Sequence, residues 1–227
     1  MILPDNMYVF ERGWLSSNNI LLLNDSESVL VDSGYCTHAS QTIQLVKTVL
    51  QDRPLDLLLN THLHSDHCGG NAALQVQFPA LRTHIPPGGS DDIAQWKTEA
   101  LSYDATGQSC PRFRFDALLA PGSSMMLAGS EWEVHAAPGH DPHAILLFAP
   151  ETRVLISADA LWEDGFGVVF PELEGMTAFA EVDATLRLVE SLSPRTVIPG
   201  HGPIFTDVPR ALERARRRLD YFVGQPE

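Results

Sequence analysis

Residues 62–67 read His62-Leu63-His64-Ser65-Asp66-His67, so four side chains of metal-ligating type fall within six positions. Along an extended approach, side chains two residues apart point the same way, and His62 and His64 can grip one ion together. A turn then carries Asp66 and His67 round to a second point. An imidazole pair followed by a carboxylate–imidazole pair suits zinc, or another borderline metal that accepts nitrogen and oxygen donors. Gly69 and Gly70 follow at once and let the backbone bend tightly beneath the cluster. Three more donors stand further along. His140 closes Ala137-Pro138-Gly139-His140, Asp159 ends the apolar run Val154-Leu155-Ile156-Ser157-Ala158, and His201 stands in Ile198-Pro199-Gly200-His201-Gly202. Each comes where a strand-like stretch gives way to a loop, the usual place for working side chains on an α/β scaffold. Singly, such residues are turn or core groups; with the first motif they form a set large enough for two ions.

The elements that must position these donors read as α and β in alternation. Residues 8–10, 20–23 and 29–31 have the pattern of an opening strand meander. Thr37 can cap a helix to about Leu50, with Ile43, Val46 and Leu50 at helical spacing and Pro54 beyond its end. A buried strand over 56–60 delivers the histidine cluster, and a helix follows over 71–76. Residues 132–135, 145–148 and 154–157 form a second strand group. The stretch 176–192 is an amphipathic helix with Phe179, Val182, Leu186 and Val189 on one face. A last strand over 197–199 and a last helix over 208–222 complete the chain. Periodicity by itself says α/β.

Composition fits one compact domain over 1–227, with 44% hydrophobic and 19% charged residues. Aliphatic runs are too short to cross a bilayer, and the first ten residues lack the basic start and apolar stretch of a secretory leader. The formal net charge of −14 weighs against nucleic acid and anionic membrane surfaces as partners. Three scattered cysteines, Cys36, Cys68 and Cys110, give no disulfide framework, so a reducing, cytoplasmic setting is expected. Cys68 borders the metal motif, where a redox or ligand role is conceivable, and reads first as a small buried filler.

The histidine cluster, with Asn18-Asn19-Ile20, Val31-Asp32-Ser33-Gly34 and Pro199-Gly200-His201-Gly202, resembles the metallo-β-lactamase superfamily over nearly the whole chain. That resemblance implies the αβ/βα four-layer sandwich, with metals at one edge. It implies that His62, His64 and His140 hold a first metal, that Asp66, His67 and His201 hold a second, and that Asp159 bridges them. Asp32 matches the acidic residue beneath the site. An Asp at position 159 resembles the glyoxalase II-like branch rather than true β-lactamases. The implied activity is a hydrolase in which hydroxide bridging two zinc ions attacks the carbonyl of a small thioester, ester, lactone or amide, anionic substrates included. Asp66 would orient the nucleophile and pass a proton to the leaving group. Iron or manganese could replace zinc, and a mononuclear iron, persulfide dioxygenase-like oxidoreductase is the competing reading. Because only one helix's worth of chain follows His201, a small substrate is expected over a firmly held glutathione conjugate.

Several features lie outside this scheme. His140-Asp141-Pro142-His143 departs from the family's pattern and leaves His143 as a group that could bond substrate or a ligand. His38, His84 and His135 have no ligand-like context. The segments 85–121, with Trp96, Tyr103, Phe113 and Phe115, and 160–173, with Trp162 and Phe166, either line a pocket or pack beneath a loop. Arg210, Arg214, Arg216, Arg217 and Arg218 read as a solvated helix end rather than an anion clamp.

Overall fold

A computed structural model describes residues 3–13, 15–104 and 106–224. The described residues divide into two compact units, one within 3–120 with 126–130 and the other of 121–125 with 131–224. The N-terminal unit is built on a six-stranded sheet in the order β1 (Met7–Phe10), β2 (Asn19–Leu23), β3 (Ser28–Val31), β4 (Leu57–Leu59), β5 (Arg82–Ile85) and β6 (Ala117–Leu118). The first two pairings are antiparallel and the next three parallel. Strands β3 and β4 are buried along their whole length, as continuous apolar runs in parallel pairs require. Helix α1 (Ala39–Leu50) makes the crossover between them and turns Ala39, Thr42, Val46 and Leu50 inward. Val46 and Leu50 meet Leu21, Leu30 and Leu58 of the sheet, and Leu74 of α3 (Asn71–Gln77) joins them. Each fully buried leucine there contributes about 1.5–3 kcal/mol through its burial.

The C-terminal unit carries a five-stranded sheet in the order β11-β10-β9-β8-β7. These strands are β7 (Ser124–Leu127), β8 (Ser130–Ala136), β9 (Ile145–Ala149), β10 (Val154–Ala158) and β11 (Thr196–Pro199). Strands β9, β10 and β11 are buried at every position. Helices α6 (Phe179–Leu192) and α7 (Val208–Val223) cover this sheet, packing Val182, Leu186, Val189, Leu212, Ala215 and Leu219 on Leu146, Leu155 and Val197.

Strand direction positions the donors. In the N-terminal unit β3 and β4 run parallel, so Asp32 and the His62 motif leave the same sheet edge. In the C-terminal unit β8 and β10 each lie antiparallel to β9, and β10 is parallel to β11. Strands β8, β10 and β11 therefore point one way, and His140, Asp159 and His201 all emerge at their carboxyl ends, where open α/β sheets bind ligands.

The expected elements are present with shifted ends, and several short ones were not expected. Instead of a helix capped by Thr37, a 3-10 turn over Cys36–His38 leads into α1. Helix α6 begins at Phe179 rather than Met176, because the Glu172 carboxylate accepts from the Ala178 and Phe179 amides and stops its first turn there. Glu172 belongs to α5 (Phe170–Leu173), a single turn too short to show periodicity. The same holds for α2 (Ser65–Cys68) and α4 (Ser90–Gln95). Strand β5 is masked in the sequence by the polar run Arg82-Thr83-His84.

Candidate metal centre

In the N-terminal unit the anchor is Asp32, directly after β3. It is buried in the left-handed region at φ 57°, a conformation that Asp tolerates better than most residues. Its Oδ1 accepts from the Thr61 backbone N–H at 2.9 Å, and its Oδ2 accepts from the Thr61 hydroxyl at 2.8 Å. Oδ2 also lies 2.8 Å from His67 Nδ1. A carboxylate can only accept, so His67 carries its proton on Nδ1 and presents the Nε2 lone pair. His62 is held in the same way. With its hydrogen given to Asp32, the Thr61 hydroxyl accepts from His62 Nδ1–H at 3.2 Å, and His62 likewise presents Nε2. That atom is 3.1 Å from His64 Nδ1, and the two rings are nearly perpendicular at 82°. His67 Nε2 lies 3.9 Å from Asp66 Oδ2. One carboxylate thus sets the tautomers of two imidazoles, directly and through a threonine.

The loop holding Asp32 is tied down from behind. Asn19 Nδ2 donates to the Asp32 carbonyl, while Asn19 Oδ1 accepts from the buried Arg12 guanidinium at 2.6 Å. Arg12 also reaches Thr42 Oγ1 at 2.7 Å and Gln41 Oε1 at 2.9 Å. Its burial pulls its pKa down from the ordinary arginine value. Gly69 and Gly70 serve by lacking a side chain rather than by a special turn. A Cβ on Gly69 would stand 2.3 Å from the Ser65 carbonyl oxygen, and one on Gly70 2.5 Å from that of Ser33.

In the C-terminal unit Asp159 follows β10 after a register shift and a left-handed Ala158 at φ 47°. Its Oδ2 lies 3.3 Å from His140 Nε2 and 3.7 Å from His201 Nε2. His140 Nδ1–H donates to the Val168 carbonyl at 2.6 Å, which leaves Nε2 as the lone-pair nitrogen. Trp162 Nε1–H donates to Asp159 Oδ1 at 3.2 Å, and its ring meets His201 edge-on at 5.4 Å between centroids. Gly167 closes over this group: a Cβ there would stand 2.6 Å from His140 Nδ1 and 3.0 Å from Asp159 Cβ.

The donor chemistry of each half fits a divalent ion. Nitrogen and oxygen ligands about 2.0–2.1 Å from a tetrahedral metal lie roughly 3.3–3.4 Å apart. The pairs at 3.1, 3.3 and 3.7 Å bracket that separation. Within the N-terminal unit His62 meets His64 while His67 meets Asp66 and Asp32, and within the C-terminal unit Asp159 meets His140 and His201.

Thr61, Gly167 and the Val168 carbonyl were not marked in the sequence as parts of the site, whereas Trp162 was one of the aromatics of 160–173 set down as pocket-lining or loop-packing, and it lies against Asp159 and His201. Trp162 stands three residues beyond Asp159, the one hint available; the Val168 contact is made by backbone and leaves no trace in residue type. Among the aromatics of 85–121, Trp96, Tyr103, Phe113 and Phe115 pack with Leu63 and Ile85, which is the loop-packing alternative. The His143 side chain is exposed, and its backbone N–H donates to Asp141 Oδ1 at 2.7 Å in a local turn. His38 pairs with Ser16, and His135 with Glu133. Of the C-terminal arginines, Arg216 pairs with Glu190, Arg214 with Asp164, and Arg218 lies over Phe166 and Phe222. Among the described residues no helix is long and apolar enough to cross a membrane.

The family model of the metallo-beta-lactamase superfamily matches residues 12–201. A hydroxyacylglutathione hydrolase from Trichormus variabilis is 29% identical over 202 residues, covering 85% of this chain and 65% of its own length. The acyl-coenzyme A thioesterase MBLAC2 from Homo sapiens is 25% identical over 219 residues, or 86% of this chain and 77% of that protein. Among solved structures, TTHA1623 in a di-iron-bound form is 27% identical with a TM-score of 0.72, covering 92% of this chain and 98% of that one.

Proposed function

Since this chain belongs to the metallo-β-lactamase superfamily, we propose that it is a metal-dependent hydrolase of small thioesters, its two units forming one catalytic domain. In this reading His62, His64 and His140 hold one divalent ion, while Asp66, His67 and His201 hold a second. Asp159 is shared. The observation that carries it is the Asp159 carboxylate, whose Oδ2 lies within 3.3 Å of His140 and 3.7 Å of His201. One oxygen so close to two imidazoles is arranged to serve two ions. Thioesters are favoured over esters, lactones and amides because the relatives include a hydroxyacylglutathione hydrolase and an acyl-coenzyme A thioesterase. Zinc suits the donors, and the di-iron form of TTHA1623 makes iron the second candidate. Three free thiols fit a reducing, cytoplasmic setting.

Bound there, divalent ions would lower the pKa of water toward neutrality and polarise a carbonyl oxygen. The chain's own residues do the rest. Asp32 and Thr61 keep the protons of His67 and His62 on Nδ1, turned away from the ions. The Val168 carbonyl does the same for His140, and Trp162 steadies Asp159. Asp66, partly exposed beside His67, accepts the proton of the attacking water and returns it to the leaving thiolate.

The test joins elemental mass spectrometry of protein purified without added metal to thioester hydrolysis by Asp66→Asn. About two ions per chain are expected, with turnover in the variant lower by roughly 10²–10⁴-fold and an unchanged circular dichroism spectrum. A metal-replete Asp66→Asn protein of near-normal turnover removes Asp66 from the mechanism, and a single iron per chain removes the two-ion reading.

A further inference from the structure

Helix α2 ends in a thiol that the proposed hydrolysis does not use. Cys68 is completely buried in a cluster of Leu63, Ile85, Ile93, Leu101, Tyr103 and Phe113. Its Sγ lies 3.8 Å from the Sγ of Cys110, which stands 42 residues later on a stretch without regular structure. The Tyr103 hydroxyl donates to the Leu63 carbonyl at 2.8 Å and lies 3.3 Å from Cys68 Sγ, so it borders the thiol pair. The neighbours of Cys110 are also attached to this region. Gln108 accepts from the Ser65 hydroxyl of α2, and the Ser109 backbone N–H donates to the Tyr35 hydroxyl at 3.0 Å. Cys36, by contrast, points its thiol at the Ser109 carbonyl, 3.2 Å away.

We propose that Cys110 and Cys68 are a peroxide-responsive thiol pair, whose oxidation to a disulfide fastens the segment around Cys110 to helix α2. Two features support it. The sulfurs need to approach by less than about 2 Å to reach bonding distance, and Cys110 lies outside any helix or strand. Of the two, Cys110 is the partly exposed one, and the hydrogen bond from Cys68 holds its pKa below the ordinary thiol value. Cys110 therefore meets the oxidant first and Cys68 resolves.

The chemistry balances with hydrogen peroxide as the two-electron oxidant. The Cys110 sulfur attacks one peroxide oxygen and the O–O bond breaks. The departing hydroxide takes up the Cys110 thiol proton as water, and sulfur is oxidised to the sulfenic acid. The Cys68 sulfur then attacks the Cys110 sulfur: the S–S bond forms, the S–O bond breaks, and hydroxide leaves as water with the Cys68 proton. Two thiols and one peroxide give one disulfide and two waters. Because α2 also carries Asp66 and His67, the bond would restrain the backbone that presents them. The pairing itself stands apart from the hydrolase assignment.

Trypsin separates the three cysteines, leaving Cys36 on peptide 13–47, Cys68 on 48–82 and Cys110 on 98–112. Reduced full-length protein, as purified, is treated with hydrogen peroxide, quenched in acid, denatured, alkylated and digested for mass spectrometry. The expected product is a 48–82/98–112 crosslink, two hydrogens lighter than its parts and cleaved by dithiothreitol. It should persist in Cys36→Ser and be missing from Cys110→Ser, neither of which disturbs the proposed ligands. A dominant crosslink through 13–47, or sulfinic acid on Cys110 while Cys68 remains fully alkylatable, would overturn the pairing.

Discussion

Replacing Asp32 by Asn tests whether a buried carboxylate sets the tautomers of His67 and His62, two of the proposed metal ligands. The backbone gives little trouble, since Asp32 lies at φ 57° and Asn tolerates that region as well as Asp. Trouble begins at Oδ2, which receives the Thr61 hydroxyl and His67 Nδ1, each at 2.8 Å. If the amide NH₂ takes that place, two donors confront a third. His67 must then move its proton to Nε2, which removes the lone pair offered to a metal. The Thr61 hydroxyl must also turn over, so His62 Nδ1 loses its acceptor and is driven the same way. Loss of one such supporting contact typically costs 10–100-fold in metal affinity, or about 1.4–2.7 kcal/mol. With two imidazoles affected, the upper end is expected. If the amide flips instead, its NH₂ faces the Thr61 N–H now bonded at 2.9 Å. The cost then appears as a buried unpaired donor, about 1–3 kcal/mol of stability. Competitive zinc titration against a chromophoric chelator, with melting of the metal-free protein, separates the two outcomes. Long-range ¹⁵N–¹H spectra of the imidazoles report the tautomers directly. An Asp32→Asn protein with wild-type zinc affinity, stability and Nδ1-protonated His67 would refute the reasoning.

Gly167→Ala should drive its new methyl into His140 Nδ1, 2.6 Å away, and break the bond to the Val168 carbonyl. Overpacking of this kind costs about 1–3 kcal/mol, and reduced metal content together with a lower melting temperature would register it. Trp162→Phe keeps a ring against His201 but removes the donor to Asp159 Oδ1; about tenfold lower kcat, or ~1.4 kcal/mol, is expected in steady-state thioester hydrolysis, and unchanged kcat would dismiss the contact. Burial, then the nearby Arg82 charge, holds His84 below the ordinary histidine value, against an opposing pull from Asp116. The unfolded chain therefore takes up this proton first, and the contribution to stability, intact above about pH 6.5, is lost as pH falls below it. Denaturant midpoints measured from pH 7.5 to 5 should fall less steeply in His84→Gln than in the parent protein.

The proposed ligands within 62–67, with His140, Asp159 and His201, could be picked out in the chain because donor chemistry resides in side-chain type. Their placement at strand ends was legible because runs such as Val154-Leu155-Ile156-Ser157-Ala158 announce buried strands. Long helices were readable from periodicity, while α2 and α5, of four residues each, lie below the length at which a 3.6-residue repeat can be seen. Three-dimensional packing decided what no spacing encodes. Asp32 and Thr61 are 29 positions apart, yet they meet because β3 and β4 run side by side in the same direction. Parallel β10 and β11, with β8 running the same way, bring His140 and His201 to one carboxylate. The protons on His62, His67 and His140 follow from those meetings, since a tautomer depends on the acceptor opposite it. Gly69, Gly70 and Gly167 are demanded by neighbours as close as 2.3 Å rather than by their own torsions. Residue types determine which chemistry is available; the crossing of distant strands determines which atoms are turned toward it.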